Sequence, residues 1–145
     1  VSAVVYEIQT AQTDEQILSC FDLLKILRPD LEVNGFVERV HNQEKEGYKL
    51  IFISDQEGVR SVAGFRIANF LAWGKVLYVD DLITSPEARG TGFGTHLLKW
   101  LMGEAKRAGC DAIHLDTGIE MGEAHRLYLN LGMKINCLHL SMNLG

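Results

Sequence analysis

The sequence predicts one α/β domain, α+β by some schemes, built on a mixed sheet, and three observations carry that expectation. The chain has 145 residues, 47% hydrophobic and 23% charged, which suits one compact core rather than a disordered, collagenous or disulfide-framed chain. The first half reads as β-α-α-β-β. Beyond Val76 strands alternate with helices, and that order implies a parallel pair joined by a crossover.

Val4 to Ile8 is a short, β-branched strand segment. Thr13 with Gln16 makes a capping box ahead of Ile17, Leu18, Phe21, Leu24 and Leu27 at helical spacing. That helix stops near Arg28-Pro29, because the residue before proline is pushed out of the helical region. A second helix starts near Asn34, turns Phe36, Val37 and Val40 inward, and ends at Gly47. Tyr48 to Ser54 and Val59 to Ile67 read as a hairpin around Asp55 to Gly58. Val76 to Thr84 is an apolar strand interrupted by Asp80 and Asp81 and closed by Pro86. After the glycine-rich stretch Gly90 to Gly94, Leu97, Leu98, Leu101 and Ala105 mark one face of a helix ending at Gly109. Asp111 to Thr117 is the next strand and Glu123 to Leu131 a short helix; Met133 to Leu144 is expected to hold the last strand or strands.

Fourteen Lys and Arg against nineteen Asp and Glu leave a net charge of -5, so the attraction to phosphate that drives nonspecific nucleic-acid binding has no overall source. A nucleic-acid partner is not expected. Cys20, Cys110 and Cys137 are odd in number and form no CxxC pair, which suits a reducing compartment, the cytoplasm, better than a disulfide framework or zinc site. No apolar run reaches a membrane helix, and Val1 to Gln9 lacks a basic, then apolar, leader, so neither membrane insertion nor export is expected. No histidine pair has the spacing of a helical zinc site, His114 and Asp116 share a strand face without a third ligand, and no metal is expected. Trp73 and Trp100 read as packing residues, with Trp73 placed in a loop that can edge a cleft. Glu38, Glu44 and Glu46 read as a solvated helix face, although a negative cleft would steer a cationic amine.

A glycine-rich turn between a strand and a helix directs backbone N–H groups outward at the positive end of the helix dipole, which makes an anion site. Arg89-Gly90-Thr91-Gly92-Phe93-Gly94-Thr95 has this character. A nucleotide P-loop needs a Lys before its terminal Ser or Thr, whereas Gly94 is followed by Thr95 and His96. A dinucleotide fingerprint needs G-x-G-x-x-G in a strand-first unit, and here the spacing is G-x-G-x-G past mid-chain. Asp116, at the distance of a ribose carboxylate, keeps that alternative open.

The third loop is Gln/Arg-x-x-Gly-x-Gly/Ala, and Arg89 to Gly94 matches it. With it go Leu77 to Glu87 as the preceding strand, and Ala124-His125-Arg126-Leu127-Tyr128 followed by Gly132-Met133. On these motifs the chain resembles the GNAT superfamily of acetyl-CoA-dependent N-acetyltransferases along its whole length. Leu27-Arg28-Pro29, Gly47-Tyr48, Tyr78 to Leu82 and Ala124-His125-Arg126 narrow the resemblance to small bacterial members, and that likeness implies no particular substrate. The resemblance implies a twisted sheet splayed like a V between the fourth and fifth strands, about four helices, and acetyl-CoA in the gap. It also implies direct acetyl transfer to a primary amine without a covalent enzyme intermediate. The partners are then acetyl-CoA and an unidentified amine acceptor, with a homodimer as the candidate assembly. A domain that keeps the CoA site as a sensor without turnover is the rival reading.

Acetyl transfer needs a neutral amine, a stabilised oxyanion and a proton for the departing thiolate. The resemblance implies Tyr128 as proton donor. It places the oxyanion against main-chain groups of Leu82, Ile83 and Thr84, which also belong to the cofactor-binding set. The pyrophosphate goes to Arg89, Gly90, Thr91, Gly92, Phe93, Gly94 and Thr95, and His125 joins the cofactor-binding set. Met121 stands where many members carry an asparagine near the pantetheine arm. Asp80 and Asp81 are the candidate bases, with a water relay as the competing account. Being consecutive on a strand, they point to opposite faces unless a bulge intervenes, so only one is expected to meet the amine. Cys20 and Cys110 read as small core residues.

Overall fold

The computed structural model describes residues 6–118 and 122–145. The fold divides into two compact units, Val1–His114 and Leu115–Gly145. In the first, β1 (Ile8–Thr10) is followed by α1 (Asp14–Ser19), α2 (Phe21–Leu27) and α3 (Phe36–Glu44). Then come β2 (Lys49–Asp55), β3 (Gly58–Phe70), β4 (Gly74–Thr84), a single 3₁₀ turn (Pro86–Ala88) and α4 (Phe93–Arg107). β5 (Ala112–Leu115) crosses the boundary, and α5 (Gly122–Asn130) belongs to the second unit.

The strands form one open sheet in the order β1-β2-β3-β4-β5. β1 to β4 pair antiparallel and β5 runs parallel to β4. The parallel edge is tied at its start, where the Asp111 N–H donates to the Lys75 carbonyl at 2.7 Å and the Lys75 N–H to the Asp111 carboxylate at 3.0 Å. β5 has four residues against eleven in β4. β4 therefore runs on past its parallel neighbour, which is where the resemblance puts the opening of the V.

The capping box forms as the sequence predicts: the Gln16 N–H donates to Thr13 Oγ1, and the Thr13 N–H to Gln16 Oε1, both at 3.1 Å. The single helix expected from Ile17 to Leu27 breaks at Cys20 into α1 and α2. The break lets Ile17 and Leu24 both reach one core with Phe36, Val40, Leu50, Phe52 and Val62. The side chains of β2 alternate, so Leu50 and Phe52 face α1 to α3 while Ile51 and Ile53 lie on the other face, also buried. That second face carries α4, whose Trp100 meets Phe65 edge-on at 6.0 Å and whose Leu97, Leu98 and Leu101 are buried. A strand covered on both faces reads as a continuous apolar run, which is why Leu50 to Ile53 shows no polar alternation.

The expected strand within Met133 to Leu144 is not formed. Leu138, Leu140, Met142 and Leu144 do alternate, but a strand exists only through a ladder partner, and among the described residues none pairs with this exposed segment. Of the expected first strand, Val4 and Val5 lie outside the described residues, and β1 instead spans Ile8–Thr10.

Candidate functional site

The acids of β4 share one cleft. In the β3–β4 ladder Gly64 faces Asp81 and Phe65 faces Val79, so Asp80 is an extra residue on its strand, a β-bulge. The bulge overturns the expectation of opposite faces. Asp80 and Asp81 both line a cavity of about 600 Å³ between β4 and the helices α2 and α3, with Leu24, Phe36, Tyr48 and Tyr78 in its walls.

Each acid is held by named partners. Arg66 grips Asp80 with two nitrogens, Nη2 at 2.7 Å and Nε at 3.1 Å from its carboxylate oxygens. Asp81 accepts from the Tyr48 hydroxyl at 2.8 Å and from Arg28 Nε at 3.1 Å, while Arg28 Nη2 donates to the Asp80 carbonyl at 2.9 Å. Burial raises the Asp80 carboxyl above its ordinary pKa, and the bidentate Arg66 pulls the other way. Burial, with the Asp81 charge beside it, drives the Tyr48 phenol well above its usual value. Tyr48 thus stays protonated and acts as a fixed donor. The site holds one carboxylate anchored from two sides, Asp81, and one of raised proton affinity, Asp80.

β4 continues through Leu82, Ile83 and Thr84, which pair with Ala63, Val62 and Ser61. At about 3.3 Å per residue, Asp80 and Thr84 stand roughly 13 Å apart along the strand. The buried Ser61 hydroxyl donates to the Ile83 carbonyl at 3.0 Å and pins this end of the strand. After the 3₁₀ turn, Gly90 and Gly92 take φ of +80° and +91°, and Gly92 caps α4 without any side-chain hydrogen bond. The buried Phe93 is stacked at a tilt on Tyr6, 4.8 Å between centroids, and anchors the turn. Thr91 ties back to the Ala88 carbonyl through its hydroxyl. The N–H groups of Phe93, Gly94 and Thr95 belong to the first turn, where no helical carbonyl precedes them. An uncapped helix start behind two left-handed glycines suits a phosphate oxygen. Arg89 is exposed.

In the second unit, Tyr128 is half-buried on α5, and burial raises its phenol pKa. His125 Nε2–H donates to the Gly118 carbonyl at 2.7 Å, which orients its ring within this unit. Asp116 pairs with His139 at 3.1 Å. Met121 lies outside the described residues. Elsewhere, Trp73 stacks on His114 at 4.3 Å and touches Phe70, and Trp100 packs as described. Glu44 accepts from His41 and Glu46 approaches Arg66 at 3.8 Å. Among the described residues no group of three or more His, Cys, Asp and Glu is placed to hold a metal, and no helix is long and apolar enough to cross a membrane. Burial pushes the Cys20 thiol up to about 12, which makes it an inert core residue. Cys110 is half-buried.

Sequence reasoning missed Tyr48, Arg28 and Arg66 as site residues. Arg28 and Tyr48 fall within motifs that carry the narrower resemblance, yet a role for them needs the bulge. The signal available was Gly64, a glycine inside an apolar strand, which marks a bulge or a close approach.

The profile of the acetyltransferase (GNAT) family matches residues 16–133. An uncharacterized N-acetyltransferase of Bacillus subtilis, YhdJ, is 26% identical over 115 residues, 79% of this chain and 81% of that protein. An acetyltransferase of Trypanosoma brucei superposes with a TM-score of 0.80 at 20% identity, covering 97% of this chain and all of that one. AAC(6')-Iy, crystallised with a bisubstrate analogue of CoA and acetylneamine, also reaches 0.80, at 13% identity over 98% of this chain and 99% of its own. With a family profile spanning most of its length and the same fold in solved acetyltransferases, the chain belongs to the acetyltransferase (GNAT) family.

Proposed function

We propose that the chain transfers an acetyl group from acetyl-CoA to a primary amine by direct attack in a ternary complex. The observation that carries this reading is the course of β4. It delivers two carboxylates to a cleft through its bulge, then leads directly into a glycine turn and an uncapped helix start. CoA in the complex of AAC(6')-Iy supports acetyl-CoA as donor substrate. Phe93, Gly94 and Thr95 would bind its pyrophosphate through main-chain N–H groups, with Arg89, Gly90, Thr91 and Gly92 shaping the turn. Main-chain groups of Leu82, Ile83 and Thr84 would hold the pantetheine and the thioester oxygen, and His125 would contribute from α5.

In the reaction the amine nitrogen bonds to the thioester carbon and the C–S bond breaks. The amine's proton leaves to the Asp80 carboxylate, directly or through water, while Asp81 orients the amine. Tyr128 gives its phenolic proton to the departing thiolate. Raised proton affinity suits Asp80 to the first transfer. Free-thiol release from acetyl-CoA in the presence of a pooled panel of amines tests the reading, and amine-dependent release is the expected result.

One observation favours the second reading, an acyl-CoA sensor without turnover: both acids already have arginine partners. Binding of acetyl-CoA with no thiol release from any amine would support it.

A further inference from the structure

We infer that the acceptor is a monoamine on a compact apolar body, an arylalkyl or branched alkyl amine, and that a floor formed by Leu24, Phe36 and Val40 selects it. The inference rests on the acetyl-transfer reading for the fate of the amine, and its support is the way polarity changes with depth in the cleft. The mouth is polar, because the lining residues Arg28, Asp30 and Arg39 are exposed. At the bottom, Leu24 of α2 and Phe36 and Val40 of α3 line the same cavity although each is at most 5% exposed. All three belong to the core cluster that also holds Ile17, Leu50 and Val62, so the floor is one face of the hydrophobic core, fixed before any ligand arrives. Asp80 and Asp81, half-buried on β4, stand between the two levels.

The lining carries three aspartates against two arginines, and both arginines belong to the mouth. The sign of the charge below the mouth therefore suits one ammonium at Asp80 and Asp81. Yet Arg28 already pairs with Asp81, and Arg66 with Asp80. Acids that are already paired attract every ammonium weakly, so the affinity that sorts one amine from another has to come from the apolar floor. An aryl or branched alkyl group gains there by leaving water. A sugar hydroxyl or a second ammonium would lose its water and find no side-chain partner on Leu24, Phe36 or Val40, which is costly. The remaining acid, Asp30, lies at the exposed mouth, where water and salt screen it. A volume of about 600 Å³ suits a small organic ligand.

Calorimetric titration of the full chain with phenethylamine, ethanolamine, spermidine and glucosamine tests this. Phenethylamine and ethanolamine share one two-carbon chain and differ in a phenyl against a hydroxyl. Phenethylamine should bind about 10- to 100-fold more tightly than ethanolamine, the range for burying an aromatic side chain. Its binding should also show the more negative heat-capacity change, the mark of apolar burial. Val40→Thr keeps the shape of the floor and adds a hydroxyl to it, so it should weaken phenethylamine about fivefold and leave ethanolamine within about twofold. Should that variant fail to fold, the heat-capacity comparison in the parent decides. Ethanolamine, spermidine or glucosamine binding as tightly as phenethylamine, equal heat-capacity changes, or a preference untouched by Val40→Thr overturns the inference. Thiol release from acetyl-CoA with the same amines separates the two failures. Selective binding of phenethylamine without transfer to any amine defeats the acetyl-transfer reading and keeps the apolar site. Transfer to ethanolamine or spermidine as efficient as to phenethylamine keeps the reading and defeats the inference.

Discussion

The Tyr48 ring occupies the space that a Cβ of Gly64 would fill, and from that seat its hydroxyl reaches Asp81 at 2.8 Å. Gly64 is also the residue that faces Asp81 across the β3–β4 ladder, next to the bulge at Asp80. One missing side chain thus seats the phenol, and the phenol fixes the carboxylate that the bulge turns into the cleft.

Gly64→Ala should therefore lower stability by about 1–3 kcal/mol, the usual cost of forcing extra volume into a packed site. It should also release Asp81 from its phenolic donor. Thermal unfolding measures the first effect. Because the clash is with one ring, the same substitution in a Tyr48→Val background should cost less, and a double-mutant cycle reads the coupling. Equal costs in both backgrounds would show that Tyr48 is not what Gly64 accommodates.

The hairpin, the glycine turn and the α4 stripe were legible because each follows from local pattern. Asp55 to Gly58 sits between two apolar runs, and Leu97, Leu98 and Leu101 keep helical spacing. The acid pair was half legible. Two consecutive acids in an apolar strand announce a site, but strict alternation sends them apart, and only the register slip at Gly64 and Phe65 brings them together. Register depends on the partner strand, which no local pattern on β4 contains. The tail shows the reverse failure: Leu138 to Leu144 has the alternation of a strand but, among the described residues, no partner that would make it one.

Gly92→Val should weaken acetyl-CoA binding. At φ +91° the position has open space around it, so the penalty comes from the backbone and not from a collision. A left-handed conformation costs a branched residue about 1–2 kcal/mol, and a turn that relaxes away from it misaims the N–H groups of Phe93 to Thr95. Calorimetry should show affinity lower by about tenfold or more with far-ultraviolet circular dichroism unchanged; equal affinity would remove the loop from the donor site.

If Asp80 accepts the amine proton, kcat/KM should rise with pH through an apparent pKa above that of a free carboxylate, because only the ionised form is a base. Arg66 holds that pKa down against burial, so Arg66→Gln should move the limb to higher pH. Stability runs the other way. A carboxyl whose folded pKa is raised contributes stability below its unfolded pKa and loses it as pH rises through the folded one. An acceptor amine of low basicity keeps its own titration out of the profile. Asp80→Asn should flatten the limb and slow turnover by about 10²–10⁴-fold. Full activity in both Asp80→Asn and Asp81→Asn would transfer the role to a water chain.

Tyr128→Phe should fold, bind acetyl-CoA nearly as well as the parent, and turn over more slowly. The ring that packs α5 is kept, so the half-buried position loses one hydroxyl and little volume. Burial raises the phenol's pKa, which keeps its proton in place at neutral pH until a thiolate forms beside it. A donor that protonates a leaving group in the transition state is worth about 10²–10⁴-fold in rate. The loss should fall on kcat, because the hydroxyl acts on the departing sulfur and not on the bound ground state. Acyl donors with a leaving thiol of lower pKa need that proton less, so they should narrow the gap between variant and parent. A phenylalanine variant as fast as the parent, or equally slow with every leaving group, would remove Tyr128 from the proton transfer. Loss of folding would instead mark the hydroxyl as a structural hydrogen-bond partner.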